Sequence, residues 1–209
     1  MTIETVIAPA FEPVSLVEAR RWLGLEVDDS DHTAVLTMLI KAMREYAENL
    51  TQRAFVTRTL RLTLERWPAD TRYGALIELP FPPLQSVSLF RYRDSDGAAQ
   101  TLAADQYSVY THSEPGFVIP APDVTWPTID LLPDAVQLTY LAGYAPGSPP
   151  DEPGSQETLP AAVKLWMQAR LATLFENREQ LISGTIVNAL PRDFVDGLLD
   201  ALVLARRLF

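Results

Sequence analysis

The sequence predicts an α+β fold in which helices from both ends of the chain form one bundle, with a small antiparallel β domain inserted between them in the chain. Residues 15–55 carry apolar side chains at helical spacing. Short alternating stretches with turn signals follow, and helical spacing returns at Pro160. We therefore assign residues to three parts: a helical bundle (1–55 and 159–209), a β domain (56–144) and a linker (145–158).

Composition limits the possible functions. The chain has 209 residues, of which 47% are hydrophobic and 21% are charged, which is typical of globular domains. Its net charge of −10 argues against a nucleic-acid-binding surface, which needs clustered Lys and Arg. It has no cysteine, so disulfides, thiolate nucleophiles and Cys-based zinc sites are excluded.

The sequence shows no targeting or membrane signal. The first residues, MTIETVIAPAFEP, lack the basic start and long apolar run of a signal peptide. No apolar run approaches the roughly 20 residues that a membrane span needs. We expect a protein made in the cytoplasm without a membrane partner.

Residues 1–14 are expected to be extended and partly loose, because Pro9 and Pro13 block a helix. A first helix then begins at Ser15, which forms an S-x-x-E capping box with Glu18. Gly24 is placed to end it.

A second helix is expected to follow an acidic segment. Asp28, Asp29, Ser30 and Asp31 provide cap oxygens and favourable negative charge at its start. Its predicted apolar face comprises Val35, Leu39, Ala42, Met43, Tyr46 and Leu50. We expect this face to be buried by the helices that follow Pro160.

The β domain is predicted from alternation. Leu60, Leu62 and Leu64 alternate with polar residues, as in a half-buried strand. The segment Asp-Ser-Asp-Gly at 94–97 indicates a hairpin turn. Strands are expected at residues 56–67, 75–79, 87–92, 106–110, 117–119 and 136–141.

Two further helices are expected after the proline- and glycine-rich residues 145–158. Pro160 and Pro191 are suitable first-turn residues for them. The last helix ends in Arg206, Arg207, Leu208 and Phe209. The two arginines complement the helix dipole, and Leu208 and Phe209 could anchor the tail on a partner.

No catalytic, metal or cofactor site is predicted. Residues 28–32 contain carboxylates and a histidine, but consecutive residues rarely converge on one ion, so a helix start is the favoured interpretation. Residues 94–97 resemble the opening of a calcium loop, but the glycine comes two positions early. Only His32 and His112 are available for Ser/His/Asp catalysis, and no G-x-S-x-G is present. A pair of carboxylates meeting in space stays open.

The layout as a whole resembles the head–tail connector (adaptor, or head-completion) proteins of tailed phages, prophages and gene transfer agents. The resemblance runs over nearly the full length, and its individual motifs encode caps, turns and helix faces. The matching stretches are residues 14–19 (VSLVEA), 39–54 (LIKAMREYAENLTQRA), 79–87, Tyr92, 94–97, 136–140, Gly143-Tyr144, 159–164 (LPAAVK), 176–179 (ENRE) and the final helix.

This resemblance implies a structural subunit with no catalytic residue and no cofactor. Such proteins form a homo-oligomeric ring, expected to be twelvefold, beneath the portal protein. The ring extends the DNA channel, and DNA passes through it without sequence-specific binding. Its other partner is the next neck or tail protein, a stopper or tail terminator. The expected location is therefore the neck of the virion.

Two residue sets follow as candidate surfaces. By resemblance, the portal-binding residues are expected in the C-terminal helix: Leu199, Leu202, Val203, Arg206, Arg207, Leu208 and Phe209. The acidic residues of the first helical pair are expected to form a subunit or channel surface: Asp28, Asp29, Asp31, Glu45 and Glu48. The long β domain departs from the smallest all-helical members, so its role is not implied.

Two other classes of function are alternatives. One is a prophage-encoded carboxylate- or metal-dependent hydrolase, which Asp28, Asp29 and Asp31 would have to serve. The other is a non-viral oligomeric binding module whose β domain recognises a ligand. The absence of Cys, the scarcity of His and the lack of a catalytic motif count against the first.

Overall fold

The computed structural model describes residues 1–28, 30–68, 75–145, 158–176 and 197–204. Predictions that concern the remaining residues, including Asp29 and most of the linker, lie outside the described chain. The strands are β1 (Thr2–Ile7), β2 (Arg58–Leu64), β3 (Ile77–Leu79), β4 (Leu84–Arg93), β5 (Ala99–Thr101), β6 (Tyr107–Tyr110), β7 (Gly116–Pro120) and β8 (Val136–Ala142). The helices are α1 (Leu16–Leu23), α2 (Thr33–Thr51) and α3 (Ala161–Glu176), with a short 3-10 helix at Ala104–Gln106 and helical residues at 197–200. The predicted α+β class is confirmed.

The chain divides into a β unit and a helical unit. The β unit comprises Met1–Ala10 and Val56–Tyr144, and the helical unit comprises Phe11–Phe55 and Ala145–Phe209. The assignment of residues 1–10 to the helical bundle was therefore wrong. These residues contain β1, which pairs with β2 from Thr2 opposite Thr63 onwards. Pro9 and Pro13 prevent a helix, but they leave the preceding residues free to pair as a strand.

A five-stranded sheet with the order β1-β2-β8-β4-β5 forms most of the β unit, and each neighbouring pair is antiparallel. The central strand β8 buries alternate side chains: Val136, Leu138, Tyr140 and Ala142. This period of two is what a sheet with one covered face requires. The buried Tyr140 hydroxyl donates to the Pro80 carbonyl at 2.9 Å, and burial raises the pKa of this phenol.

A second sheet in the β unit has the order β3-β7-β6. In the same unit, the indoles of Trp67 and Trp126 stack with their ring centroids 4.9 Å apart, and Phe90 packs against both. Each indole N–H donates to a backbone carbonyl, Trp67 to Pro127 and Trp126 to Ala75. These two half-buried tryptophans therefore help to hold this unit together.

In the helical unit, α1 has the predicted ends. The Ser15 side chain accepts from the Glu18 N–H at 3.1 Å, and the Glu18 carboxylate accepts from the Ser15 N–H at 2.9 Å. Gly24 ends the helix with a φ of +68°. Lys164 of α3 forms an ion pair of 3.0 Å with Glu18, which ties α3 to the start of α1.

Helices α2 and α3 run antiparallel. His32 at the start of α2 contacts Phe175, and Tyr46 near its end stacks on Trp166. The fully buried side of α2 is different from the predicted one: it consists of Leu36, Ile40, Arg44, Ala47, Glu48 and Thr51. The residues of the predicted apolar face lie beside this buried side or are exposed. The ion pair of Arg44 and Glu48 occupies part of the buried side in their place.

Candidate assembly surfaces

A buried charge network fixes the centre of the helical unit. The Arg44 guanidinium donates to both carboxylate oxygens of Glu12, at 2.6 and 3.3 Å, and to Glu48 at 2.8 Å. The other oxygen of Glu48 accepts from the backbone N–H of Phe55 at 2.8 Å. The network thus joins the segment before α1, the middle of α2 and the chain after α2.

The carboxylates of this network compensate for the burial of the Arg44 charge. Burial disfavours the charged form of Arg44, but hydrogen bonds and Coulomb attraction from Glu12 and Glu48 outweigh it and raise the pKa of Arg44. Removing one member would leave the others buried without their partner, which is costly. This network is a structural clamp. The i,i+4 spacing of Arg44 and Glu48 is a local signal for their ion pair. The contact with Glu12 has no such signal, because Glu12 lies 32 residues from Arg44 in the chain.

The predicted acidic surface is only partly realised. Asp28, Asp31 and Glu45 are exposed, and Asp29 lies outside the described residues. Glu48 was wrongly placed on this surface, because its side chain is only 3% exposed and pairs with Arg44. The predicted α2 cap was also wrong: the N-cap residue is His32, and its side chain makes no capping hydrogen bond.

The C-terminal residues that are described pack against the end of α2. Arg53 Nε donates to the Leu202 carbonyl at 2.7 Å, and the Leu204 N–H donates to the Thr51 carbonyl at 3.2 Å. Leu199 is 0% exposed, so it belongs to the core and is not available for a partner, contrary to the prediction. The physical reason is that an amphipathic helix packs its apolar side against the core of its own chain.

The other predicted portal-binding residues are either more exposed than Leu199 or outside the described residues. Leu202 is half-buried, and Val203 is 43% exposed. Arg206, Arg207, Leu208 and Phe209 lie outside the described residues. The described part of this segment is therefore an anchor, and Val203 is an accessible large apolar residue on it.

An exposed apolar ridge runs along α2. Met38, Ala42, Tyr46 and Leu50 are spaced by four, which aligns them in one row on a helix. Met38 is 63% exposed, Tyr46 is 54% exposed and Leu50 is 41% exposed, and Ala42 is exposed too. We call these four residues the α2 ridge. The sequence-based prediction included three of them in the apolar face but expected that face to be buried.

Two other kinds of site are absent from the described part of the chain. Within it, no group of three or more His, Asp or Glu side chains is placed to hold a metal ion. None of the described helices is long and apolar enough to cross a membrane.

Solved structures of gene transfer agent particles resemble this chain. A chain in the neck of an empty particle, computed with C6 symmetry, has a TM-score of 0.74 and 23% identity. A chain in the virion of a native particle has a TM-score of 0.73 and 23% identity. A chain in the neck of a native particle, computed with C12 symmetry, has a TM-score of 0.68 and 21% identity. Each comparison covers 100% of this chain and 98% of the other.

This chain has the fold of those particle proteins. The likeness includes both the β unit and the helical unit, because it extends over nearly the full length of both chains. No family model and no curated protein matches the sequence.

Proposed function

We propose that this chain is a structural subunit of the neck of a phage-like particle: a head–tail connector that forms a ring beneath the portal. The observation that carries this proposal is the full-length likeness to chains in gene transfer agent necks. In this role the ring extends the DNA channel and joins the head to the next neck or tail protein, a stopper or tail terminator. Its location is the neck of the virion.

The ring is proposed to contain identical copies in twelvefold arrangement. Necks computed with C6 and C12 symmetry contain chains of this fold, which supports a cyclic assembly. A ring of one kind of chain closes through head-to-tail contacts, in which each copy uses two different surfaces. Neither contact needs a bound cofactor or a catalytic residue.

The portal contact is proposed for the end of the chain. Leu199 and the hydrogen bonds of Leu202 and Leu204 hold the segment up to residue 204 on the helical unit. Residues 206–209, Arg-Arg-Leu-Phe, follow this anchor and combine two cations with two large apolar side chains. Arginine and aromatic residues are common energetic anchors of protein interfaces.

Passage of DNA is proposed to depend on weak repulsion. The chain has a net charge of −10, and Asp28, Asp31 and Glu45 are exposed acidic residues of the helical unit. An acidic channel wall repels phosphates and lets a duplex slide without binding. Channel-facing basic residues in the assembled ring would contradict this part of the proposal.

Deletion of the gene in a particle-producing strain tests the function in its native setting. We expect DNA-filled heads without attached tails, seen by electron microscopy, and loss of DNA delivery to recipient cells. A plasmid copy of the gene should restore tailed particles. Normal tailed particles in the deletion strain would contradict the proposal.

A further inference from the structure

We propose that the α2 ridge is the surface through which one copy of this chain packs against the next copy in the ring. This inference rests on the proposed function and adds to it the self-contact that closes the ring. The ridge is Met38, Ala42, Tyr46 and Leu50, all apolar or aromatic and all exposed.

The ridge has the form of a helix-packing surface. Side chains spaced by four make the rows that fit into the grooves of another helix. A contiguous row of exposed apolar side chains on a protein surface is a sign of an interaction site, whereas isolated ones are common. Four successive members of one row are exposed here, over most of the length of α2.

The ridge is held in a fixed position before any partner arrives. Arg44 and Glu48 clamp another side of α2 to Glu12 and to the Phe55 backbone. Tyr46 stacks on Trp166 with ring planes only 2° apart, so its orientation is set while half of it stays accessible. A surface that is already ordered loses little conformational entropy on binding.

The rim of the ridge indicates a protein partner of balanced charge. The next row of α2 contains Lys41, Glu45 and Asn49, all exposed, and Lys41 and Glu45 form an i,i+4 ion pair of 4.0 Å. An apolar centre with a polar, electrically neutral rim is the usual composition of a protein–protein interface. It lacks the clustered cations that a nucleic acid would require.

A second copy of the chain is the partner that the assembly geometry favours. In a cyclic ring every copy must contact its two neighbours, so each carries a pair of surfaces that are buried only in the assembly. Chains of this fold occur in necks computed with C6 and C12 symmetry. The ridge is an apolar surface on α2, which the Arg44–Glu48 network holds in place. An ordered surface of this kind is suited to a contact that every copy in the ring repeats.

Thiol labelling provides a clean test, because the chain has no cysteine. Ala42→Cys places one thiol on the ridge, and Leu131→Cys places one at an exposed position of the β unit as a control. Each variant is treated with a maleimide, first as an isolated chain and then after assembly with the portal protein. The rate of labelling is followed by mass spectrometry.

We expect the Ala42→Cys variant to react rapidly as an isolated chain and at least about tenfold more slowly in the ring. The reactivity of the Leu131→Cys variant should be the same in both states. Equal reactivity of the ridge thiol in both states, or protection already in the isolated chain, would overturn the inference.

Photo-crosslinking identifies the neighbour that covers the ridge. A benzophenone amino acid incorporated at position 38 replaces an exposed ridge side chain with another apolar one. Illumination of assembled rings should give products with twice the mass of this chain, and illumination of the dilute isolated chain should not. Products that join this chain only to the portal protein would overturn the inference.

Charge substitution provides an independent readout. Met38→Glu should lower the fraction of portals that carry a ring about tenfold. The matched Leu131→Glu should leave it unchanged, and both variants should keep the wild-type thermal unfolding midpoint, since both positions are exposed. If the Met38→Glu variant forms as many rings as the unmodified chain, the inference is overturned but the proposed function is not. Failure of the unmodified chain to form any ring overturns the proposed function as well, so the two failures are distinguishable.

Discussion

Arg44 and Glu48, one turn apart on α2, form a buried ion pair of 2.8 Å whose side chains are 4% and 3% exposed. The pair is completed by Glu12 on one side and by the Phe55 N–H on the other. It therefore connects separate parts of the chain within the helical unit, and it leaves the α2 ridge uncovered.

Loss of Glu48 should destabilise the helical unit. Glu48→Ala leaves the Phe55 N–H without its acceptor and removes the most buried of the three carboxylates that pair with Arg44. We expect the free energy of unfolding to fall by about 2–4 kcal/mol, measured by chemical denaturation. The control Glu26→Ala, at an exposed position of the same unit, should change it by less than about 0.5 kcal/mol. Equal effects of the two substitutions would show that the clamp is energetically unimportant.

Gly143 should be difficult to replace by any other residue. It has a φ of +115°, and an added Cβ would overlap the Val56 carbonyl group. Gly143→Ala should therefore cost more than about 3 kcal/mol, because both the backbone and the neighbouring chain must shift. Gly97→Ala, at a φ of +78° with open space around it, should cost only about 1 kcal/mol. Similar unfolding midpoints for the two variants would contradict this close approach.

The pair Arg93 and Asp134 should make a small, acid-sensitive contribution to the β unit. The Arg93 hydrogen bond, together with its charge, lowers the pKa of Asp134 below its ordinary 3.8. A lowered pKa in the folded state means that the stabilisation is complete above the ordinary value and is lost as the pH falls through the lower, folded value. Since both side chains are over a third exposed, solvent screening should keep the effect small.

An NMR titration of the Asp134 carboxyl group checks this assignment. Its midpoint should lie below 3.8 in the wild type and should rise towards that value in Arg93→Gln. A midpoint that is the same in both proteins would assign the shift to another cause.

Deletion of residues 205–209 should separate portal binding from folding. The anchor formed by Leu199, Arg53 and Leu204 precedes the deleted residues, so the thermal unfolding midpoint should change little. Co-sedimentation with the portal protein should be lost. A matched variant with Arg206→Gln and Arg207→Gln tests the charge alone. Undiminished portal binding by the shortened chain would place the portal contact elsewhere.

Local signals in the sequence predicted much of this fold. The Ser15 and Glu18 capping box, the Gly24 helix end and the alternation in β8 depend on residues that are close in the chain, and the structure has all of them. Strand β1 was missed because a six-residue edge strand is stabilised by its partner β2, which lies more than fifty residues later.

The surfaces were harder to predict than the fold. Helix α2 carries two apolar stripes, and sequence periodicity alone favoured the one with Tyr46 and Leu50 as the buried side. The structure buries the stripe with Leu36 and Ile40, because Arg44 and Glu48 neutralise each other there. Glu48 was assigned to the acidic surface because its charge alone predicts exposure. The hydrogen-bond network that buries it forms only in the folded chain.

Reconstitution with the portal protein of the same particle tests the central claim most directly. Purified portal rings are mixed with this chain, and the mixture is imaged by cryo-electron microscopy. We predict an added ring of density on one end of the portal, formed by copies of this chain around the channel axis. Portal rings that remain bare with an excess of folded chain would contradict the assignment of this protein as a head–tail connector.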